Sequence, residues 1–216
     1  LPEINLTKKE YLDESILDNF VSYKHPYMYK RRLTDFIIDT FKIGYNRANQ
    51  CIVFPVWDVN NKLLFLTQRS VKTKFFILPE GIEKPVYLLN YIYKYGFDTV
   101  FVTESQINCL TCWSYHLPSV ALFGTGSKEQ LDILNKSHIR HYILCFDGDN
   151  AGRKGAERFK RYIRSDVLVT DILLPKGKDV NDLDPFEFYN LLNDHEIDGA
   201  KLANSEQMKK FYLNSN

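Results

Sequence analysis

The chain has 216 residues, 44% of them hydrophobic, enough for one large domain or two small ones and too apolar for wholesale disorder. The formal net charge is +1, yet residues 1–96 carry 14 Lys+Arg against 10 Asp+Glu (+4) and residues 97–216 carry 14 against 17 (−3), a split that suits a polyanion groove beside a metal site. No run reaches the about 18–20 apolar residues of a membrane span and no signal-peptide pattern is present, so the expectation is no membrane partner and a cytoplasmic location.

Residues 31–41 read as a helix capped by Thr34 and ending near Gly44. Apolar runs over 51–57 and 62–67 flank Asp58-Val59-Asn60-Asn61, a hairpin signal. From Phe97 the pattern changes to strictly alternating elements. Strands are expected over 99–103, 119–123, 141–146 and 166–174, and helices over 105–116, 127–135 (capped by Ser127) and 151–164. Apolar strands alternating with helices imply βαβ units and a mostly parallel sheet. Polar helices over 185–192 and 205–213 follow. The expected division is therefore an α+β N-terminal subdomain over 1–96, an α/β domain over 97–183 and a helical tail over 184–216. The first residue is Leu rather than Met, which reads as an excised or processed piece.

Four cysteines occur, and Cys109 and Cys112 form a CxxC. No second CxxC or CxxH stands at ribbon spacing, and the pair lies within the apolar run Ile107, Leu110, Trp113, so core packing is expected rather than zinc. His138 and His141 read as ordinary loop and strand residues.

Carboxylates mark three of the four expected strand ends: Glu104 after the first, Asp147 and Asp149 after the third, Asp179 after the fourth. In an open parallel sheet, sites form outside the carboxyl ends of the strands, so these acids should converge. Crowded carboxylates repel one another, and a hard divalent cation relieves this; oxygen-only ligands favour Mg²⁺ or Mn²⁺. Such a site suits phosphoryl transfer. Gly148 is expected to allow the turn between two carboxylates, and Gly152 to open a helix whose N-terminus faces an anion. Taken singly, Asp147-Gly148-Asp149 reads equally well as a surface turn and Glu104 as a helix-start acid; their joint placement favours a site.

A Glu closing a strand, Gly124-Thr125 after the next, Asp147-x-Asp149-x-x-Gly152 after the third and Asp179 after the fourth together resemble the Toprim pattern. The form of residues 146–153, with 174–179, is most similar to the catalytic core of DnaG-type bacterial and phage primases. The front half resembles the same family. Arg31-Arg32-Leu33 is similar to its Arg-Gly-Leu, with Arg32 at the usual glycine. Phe41-Lys42-Ile43-Gly44, Ile52 to Val56, Gln68-Arg69 and Lys74 to Glu80 follow in order, and the resemblance covers roughly residues 12–183.

The resemblance implies a Toprim-like parallel sheet flanked by helices, preceded by a small α+β subdomain. It implies Glu104, Asp147, Asp149 and Asp179 as metal-site acids, with Glu104, Asp147 and Asp149 catalytic. Two positions depart from the family. Asn108 and Asn181 stand where it usually has aspartates, which makes them weaker ligands and loosens or removes a second metal. Asp182 offers a compensating carboxylate in a different register. Arg69, Lys72 and Lys74 form a basic strip for nucleic-acid or nucleotide phosphates. Beside them Phe75 and Phe76 are expected in the core. Arg153 heads a second basic stripe with Lys154, Arg158 and Arg161, equally readable as a solvated face.

The implied activity is primase-type RNA polymerisation: metal-dependent nucleotidyl transfer of ribonucleoside triphosphates on a single-stranded DNA template during replication. No side chain stands out as a general base, so the metal would acidify the attacking hydroxyl. A replicative helicase is the implied protein partner. The family's zinc ribbon and helicase-binding domain are not in the sequence. Two alternatives remain: a Toprim nuclease, or a catalytically weakened nucleic-acid-binding Toprim module.

Overall fold

A computed structural model describes residues 10–214. The front half opens with a 3₁₀ turn (Glu14–Asn19), then α1 (Pro26–Lys30) and α2 (Asp35–Thr40), followed by strands β1 (Gly44–Asn46), β2 (Cys51–Trp57), β3 (Leu63–Ser70) and β4 (Phe76–Ile77) and helix α3 (Leu89–Tyr95). The second half runs β5 (Thr99–Thr103), α4 (Gln106–Ser114), β6 (Ser119–Ala121), α5 (Lys128–Asn135), β7 (His141–Leu144), α6 (Asn150–Tyr162) and β8 (Leu168–Asp171). A 3₁₀ turn (Val180–Asp182) leads to α7 (Pro185–Asp194), α8 (Gly199–Ala203) and α9 (Glu206–Asn214).

Two four-stranded sheets result. The front sheet has the order β1-β2-β3-β4 and is antiparallel throughout. Its central hairpin turns where Asp58 accepts the Asn60 and Lys62 N–H groups on Oδ1, with Asn61 in the left-handed region at φ 59°. The rear sheet is parallel, in the order β6-β5-β7-β8. The chain steps from β5 to β6 on one side and then back across β5 to β7, so the order reverses between β5 and β7. Ligand crevices of doubly wound sheets open at that reversal.

The helix expected over 31–41 begins only at Asp35; Thr34 is its N-cap, and its side chain accepts the Ile37 N–H. Arg31 and Arg32 instead form the turn between α1 and α2. Arg32 sits at φ 63°, a left-handed conformation that glycine takes without cost. The last strand is also shorter than expected, β8 closing at Asp171.

Alternate residues of the parallel strands feed two cores. Val100, Val102, Tyr142 and Leu144 face the larger one, which continues through Met28, Ile37 and Phe54 of the front half. Phe101, Ile143 and Cys145 face the smaller one. A sheet buried on both faces explains why these strands read as continuous apolar runs. The C-terminal helices are less polar than expected: Phe188 and Leu192 of α7 complete the smaller core, and Met208 and Phe211 of α9 complete the larger. Phe211 packs against Phe41, Tyr91 and Trp113 with ring centroids 4.6–6.2 Å apart. All four cysteines are free and buried, and burial above all pushes the Cys109 thiol well up, in keeping with a packing role.

One expectation fails clearly. Phe75 and Phe76 are 62% and 39% exposed rather than in the core. Strand β4 is two residues long at the sheet edge, pairing Phe76 with Arg69, so no packed layer covers these rings, and Phe76 walls an open pocket.

Candidate functional site

Strand β5 ends at Thr103, and Ser105 caps α4 by accepting the Asn108 N–H, which leaves Glu104 at the strand–helix elbow. Its Oε1 accepts the Asp147 N–H at 3.0 Å, joining the ends of the neighbouring strands β5 and β7. Burial raises the Glu104 pKa; the Asp147 N–H and the Arg153 guanidinium oppose that rise. Asp147 is pushed up to about 7, by burial first and then by the charges of Glu104, Asp179, Asp149 and Asp182.

Asp149 is the N-cap of α6, its Oδ1 accepting the Gly152 N–H at 2.8 Å. The helix N-terminus is thus already capped by an acid of this chain. Asp179 caps the 3₁₀ turn reciprocally with Asp182, and burial raises its pKa while Arg31 counters. The loop over 147–149 and the loop over 175–179 are tied by Gly148 N to Lys178 O and Gly177 N to Gly148 O, both 2.9 Å. A Cβ on Gly148 would fall inside van der Waals contact of the Pro175 carbonyl oxygen, and one on Gly152 inside contact of the Asp147 carbonyl oxygen. Neither glycine has a positive φ, so close approach rather than turn geometry requires them: Gly148 to the loop over 175–179, Gly152 to the Asp147 carbonyl of its own loop.

Asp147, Asp149, Asp179 and Asp182 line a cavity of about 490 Å³ together with Arg31, Arg69 and Lys74 of the front half and Lys178 beside Asp179. A second pocket of about 300 Å³ shares Arg69, Ser105 and Asp147 with it, adds Glu104, and is walled by Phe54, Phe76 and Phe123. The four acids expected from the sequence therefore line two adjoining pockets, Glu104 the smaller, Asp149 and Asp179 the larger, and Asp147 both. Among the described residues, no three His, Cys, Asp or Glu side chains stand close enough to share an ion. The donors are nevertheless all oxygen, and the crowding around Asp147 is of the kind a cation relieves. Mg²⁺ commonly uses only one or two carboxylates with water and substrate oxygens. The Glu104–Asp147 end fits that ion on chemistry.

Asn108 and Asn181 lie deeper, at 1% and 6% exposure. Arg31 Nη1 donates to Asn181 Oδ1 at 2.7 Å; Asn181 Nδ2 donates to Asn108 Oδ1 at 2.6 Å; Asn108 Nδ2 reaches Asp147 Oδ1 at 3.4 Å. A guanidinium only donates, so Arg31 sets the orientation of both amides in turn. Tyr27 Oη accepts from Arg31 Nε at 2.9 Å and from Arg69 Nε at 3.1 Å, steadying the two arginines together. Arg31 and Tyr27 were not among the site residues expected from sequence; the only signal was the Arg31-Arg32 pair beside Leu33.

The other expected phosphate-binding residues divide. Arg69 and Lys74 line the cleft. Lys72 lies in the turn over 70–75 and lines neither pocket. Arg153 lines a separate pocket with Asp149, Asn150 and Lys176, and its Nη1 stands 4.0 Å from Asp171 Oδ1. Arg158 donates to the Thr125 and Gly126 carbonyls and Arg161 pairs with Glu157 at the surface, and with Lys154 they are exposed, as a solvated face would have them. Lys84, in the smaller pocket, carried no sequence signal.

Residues 101–184 match the family described as Toprim-like. The chain carries a Toprim-like domain. Across a wider span it is 29% identical over 156 residues to the DNA primase of Clostridium acetobutylicum, covering 66% of this chain and 26% of that protein. It is 29% identical over 160 residues to the DNA primase of Buchnera aphidicola, covering 66% and 28%. The chain thus spans about a quarter of the length of these curated primases. An uncharacterized Mycoplasma genitalium protein is 28% identical over 168 residues, covering 71% of this chain and 76% of that one. Solved primase structures share the fold. The zinc-binding and RNA polymerase domains of Aquifex aeolicus primase superpose with a TM-score of 0.69 at 17% identity, covering 94% of this chain and 66% of that one. A DnaG primase catalytic domain bound to single-stranded DNA superposes at 0.68 with 18% identity, covering 85% and 76%. The Toprim-like domain and the α+β part before it together have the fold of a DnaG-type primase catalytic core.

Proposed function

We propose that this chain is the nucleotidyl-transferring core of a primase, joining ribonucleotides into RNA primers on single-stranded DNA. The observation that carries this reading is the placement of Glu104 and Asp147 at the ends of β5 and β7, at the reversal of strand order, with Arg69 lining both adjoining pockets and Lys74 the larger one. Glu104 and Asp147, with Asp149 and Asp179 at the rim, hold Mg²⁺ or Mn²⁺. Such an ion supplies Lewis-acid stabilisation of phosphate charge and acidifies the attacking hydroxyl. Glu104 accepts the backbone N–H of Asp147, so the two carboxylates are fixed relative to each other before substrate arrives. Arg69 and Lys74 draw triphosphate or template phosphates to the acidic side, Arg69 being steadied by Tyr27. Arg153, beside Asp149, adds positive charge at the rim.

Helicase association is proposed more distantly. The primase fragment of the bacteriophage T7 primase-helicase protein shares the fold at a TM-score of 0.61 and 19% identity. The cytoplasm remains the proposed compartment; among the described residues, no helix is long and apolar enough to cross a membrane.

The test is incubation with single-stranded DNA, Mg²⁺ and the four ribonucleoside triphosphates. Short RNA products that vanish in Asp147→Asn are expected. Cleavage of DNA without triphosphates would instead identify a nuclease, and DNA binding without either product a binding module.

A further inference from the structure

The same cleft has two unlike ends. At one, Glu104 and Asp147 offer carboxylate oxygens. At the other, the oxygens of Asn108 and Asn181 are both already engaged as acceptors, the first from Asn181 and the second from Arg31. The charge at that second end is supplied by the protein itself. Arg31 is half-buried, held from behind by Tyr27 through both its Nε donor and the ring face 5.0 Å from its guanidinium carbon, and it opposes the upward pull on Asp179.

We infer that the Arg31 guanidinium is a resident counter-ion that takes the place of a second divalent cation, so that the cleft accepts one cation, at the Glu104–Asp147 end. The inference rests on the proposed metal-dependent reading of the site. Charge balance supports it. Glu104, Asp147, Asp149, Asp179 and Asp182 share the two adjoining pockets with five cations, Arg31, Arg69, Lys74, Lys84 and Lys178, so the protein supplies its own countercharge and leaves no net negative charge to draw a second divalent ion. A second divalent ion would have to approach a guanidinium that no titration near neutrality removes. The buried amide oxygens are each already turned toward a donor of this chain, Asn108 Oδ1 toward Asn181 and Asn181 Oδ1 toward Arg31, so a second ion would have to compete with those bonds. Asn108 and Asn181 are thereby positioning residues: they carry the fixed orientation of Arg31 through to Asp147, rather than serving as weak ligands.

Arg31→Gln keeps a donor toward Asn181 but removes the charge; Arg31→Lys keeps the charge but loses the fork. Mn²⁺ binding is followed for wild type and both variants by calorimetry, with electron paramagnetic resonance to count free ion and circular dichroism to check folding. One Mn²⁺ per chain is expected for wild type and for Arg31→Lys. In Arg31→Gln the first ion should bind about tenfold tighter, as expected for removing a like charge several ångströms away, and a second should appear. Two ions of similar affinity in wild type would overturn the inference while leaving the primase reading intact. An unchanged single ion in folded Arg31→Gln would overturn it too. A wild type that binds no Mn²⁺ at all would sink both. The expected one-ion pattern without primer synthesis would leave this inference standing and remove the proposed function.

Discussion

At the scale of single residues, Asp147 is the pivot. Burial and four neighbouring acids raise its pKa in the folded chain to about 7, well above the about 3.9 of an unfolded aspartate. Between those two values the folded state holds a proton that the unfolded state has released, so stability falls as pH rises. Above the folded pKa the loss is complete and levels off. Metal-free protein should therefore melt at a lower temperature at pH 7.5 than at pH 5, by a few degrees at roughly 2–4 °C per kcal/mol for this chain length. Asp147→Asn removes the titrating group, and Mg²⁺ favours its ionised form, so either should flatten the slope. Differential scanning calorimetry across that range checks this; a slope unchanged in Asp147→Asn would place the carboxylate in water rather than among its neighbours.

At the scale of elements, the two loops that follow β7 and β8 act as one unit because glycine lets their backbones meet. Gly148→Ala and Gly152→Ala each drive a methyl group into a carbonyl oxygen, of Pro175 and Asp147 respectively. Overpacking of this kind costs about 1–3 kcal/mol. A lower midpoint in urea, together with weaker Mn²⁺ binding, is expected for both, because each must shift Asp147 relative to Glu104. Full metal affinity in either variant would show that the loops can part without disturbing the acids. The 3₁₀ turn belongs to the same unit. Asn181 sits in it, and both Arg31 and Arg32 reach it from the α1–α2 turn, the latter through the Asn181 carbonyl at 3.0 Å.

Across the whole molecule, cations from the front half and acids from the rear half meet over one cleft. Arg69→Ala with Lys74→Ala should weaken single-stranded DNA binding and flatten its dependence on salt, by about 0.7 in the logarithmic slope for each phosphate no longer neutralised. Asp147→Asn should leave that slope unchanged, since it removes no cation. Fluorescence anisotropy over a salt series separates the two. An unaltered slope in the double variant would move the DNA path away from β3 and β4, toward Lys84 or Arg153.

Local chemistry determined much of this protein. Alternating apolar runs gave the parallel sheet, Ser and Thr before those runs gave the helix caps, and acids after β5 and β7 marked the sheet edge where the pockets open, because each of these depends on residues close in sequence. Other features were decided only by tertiary structure. Phe75 and Phe76 have the composition of a core strand, yet exposure depends on whether another layer covers them, and at a sheet edge none does. Phe188 and Phe211 lie in helices that read as polar, and only the two faces of a sheet far away in sequence call them inward. Arg31 stands 150 positions from Asn181, so nothing local could show that a guanidinium orients two buried amides and, through them, faces Asp147.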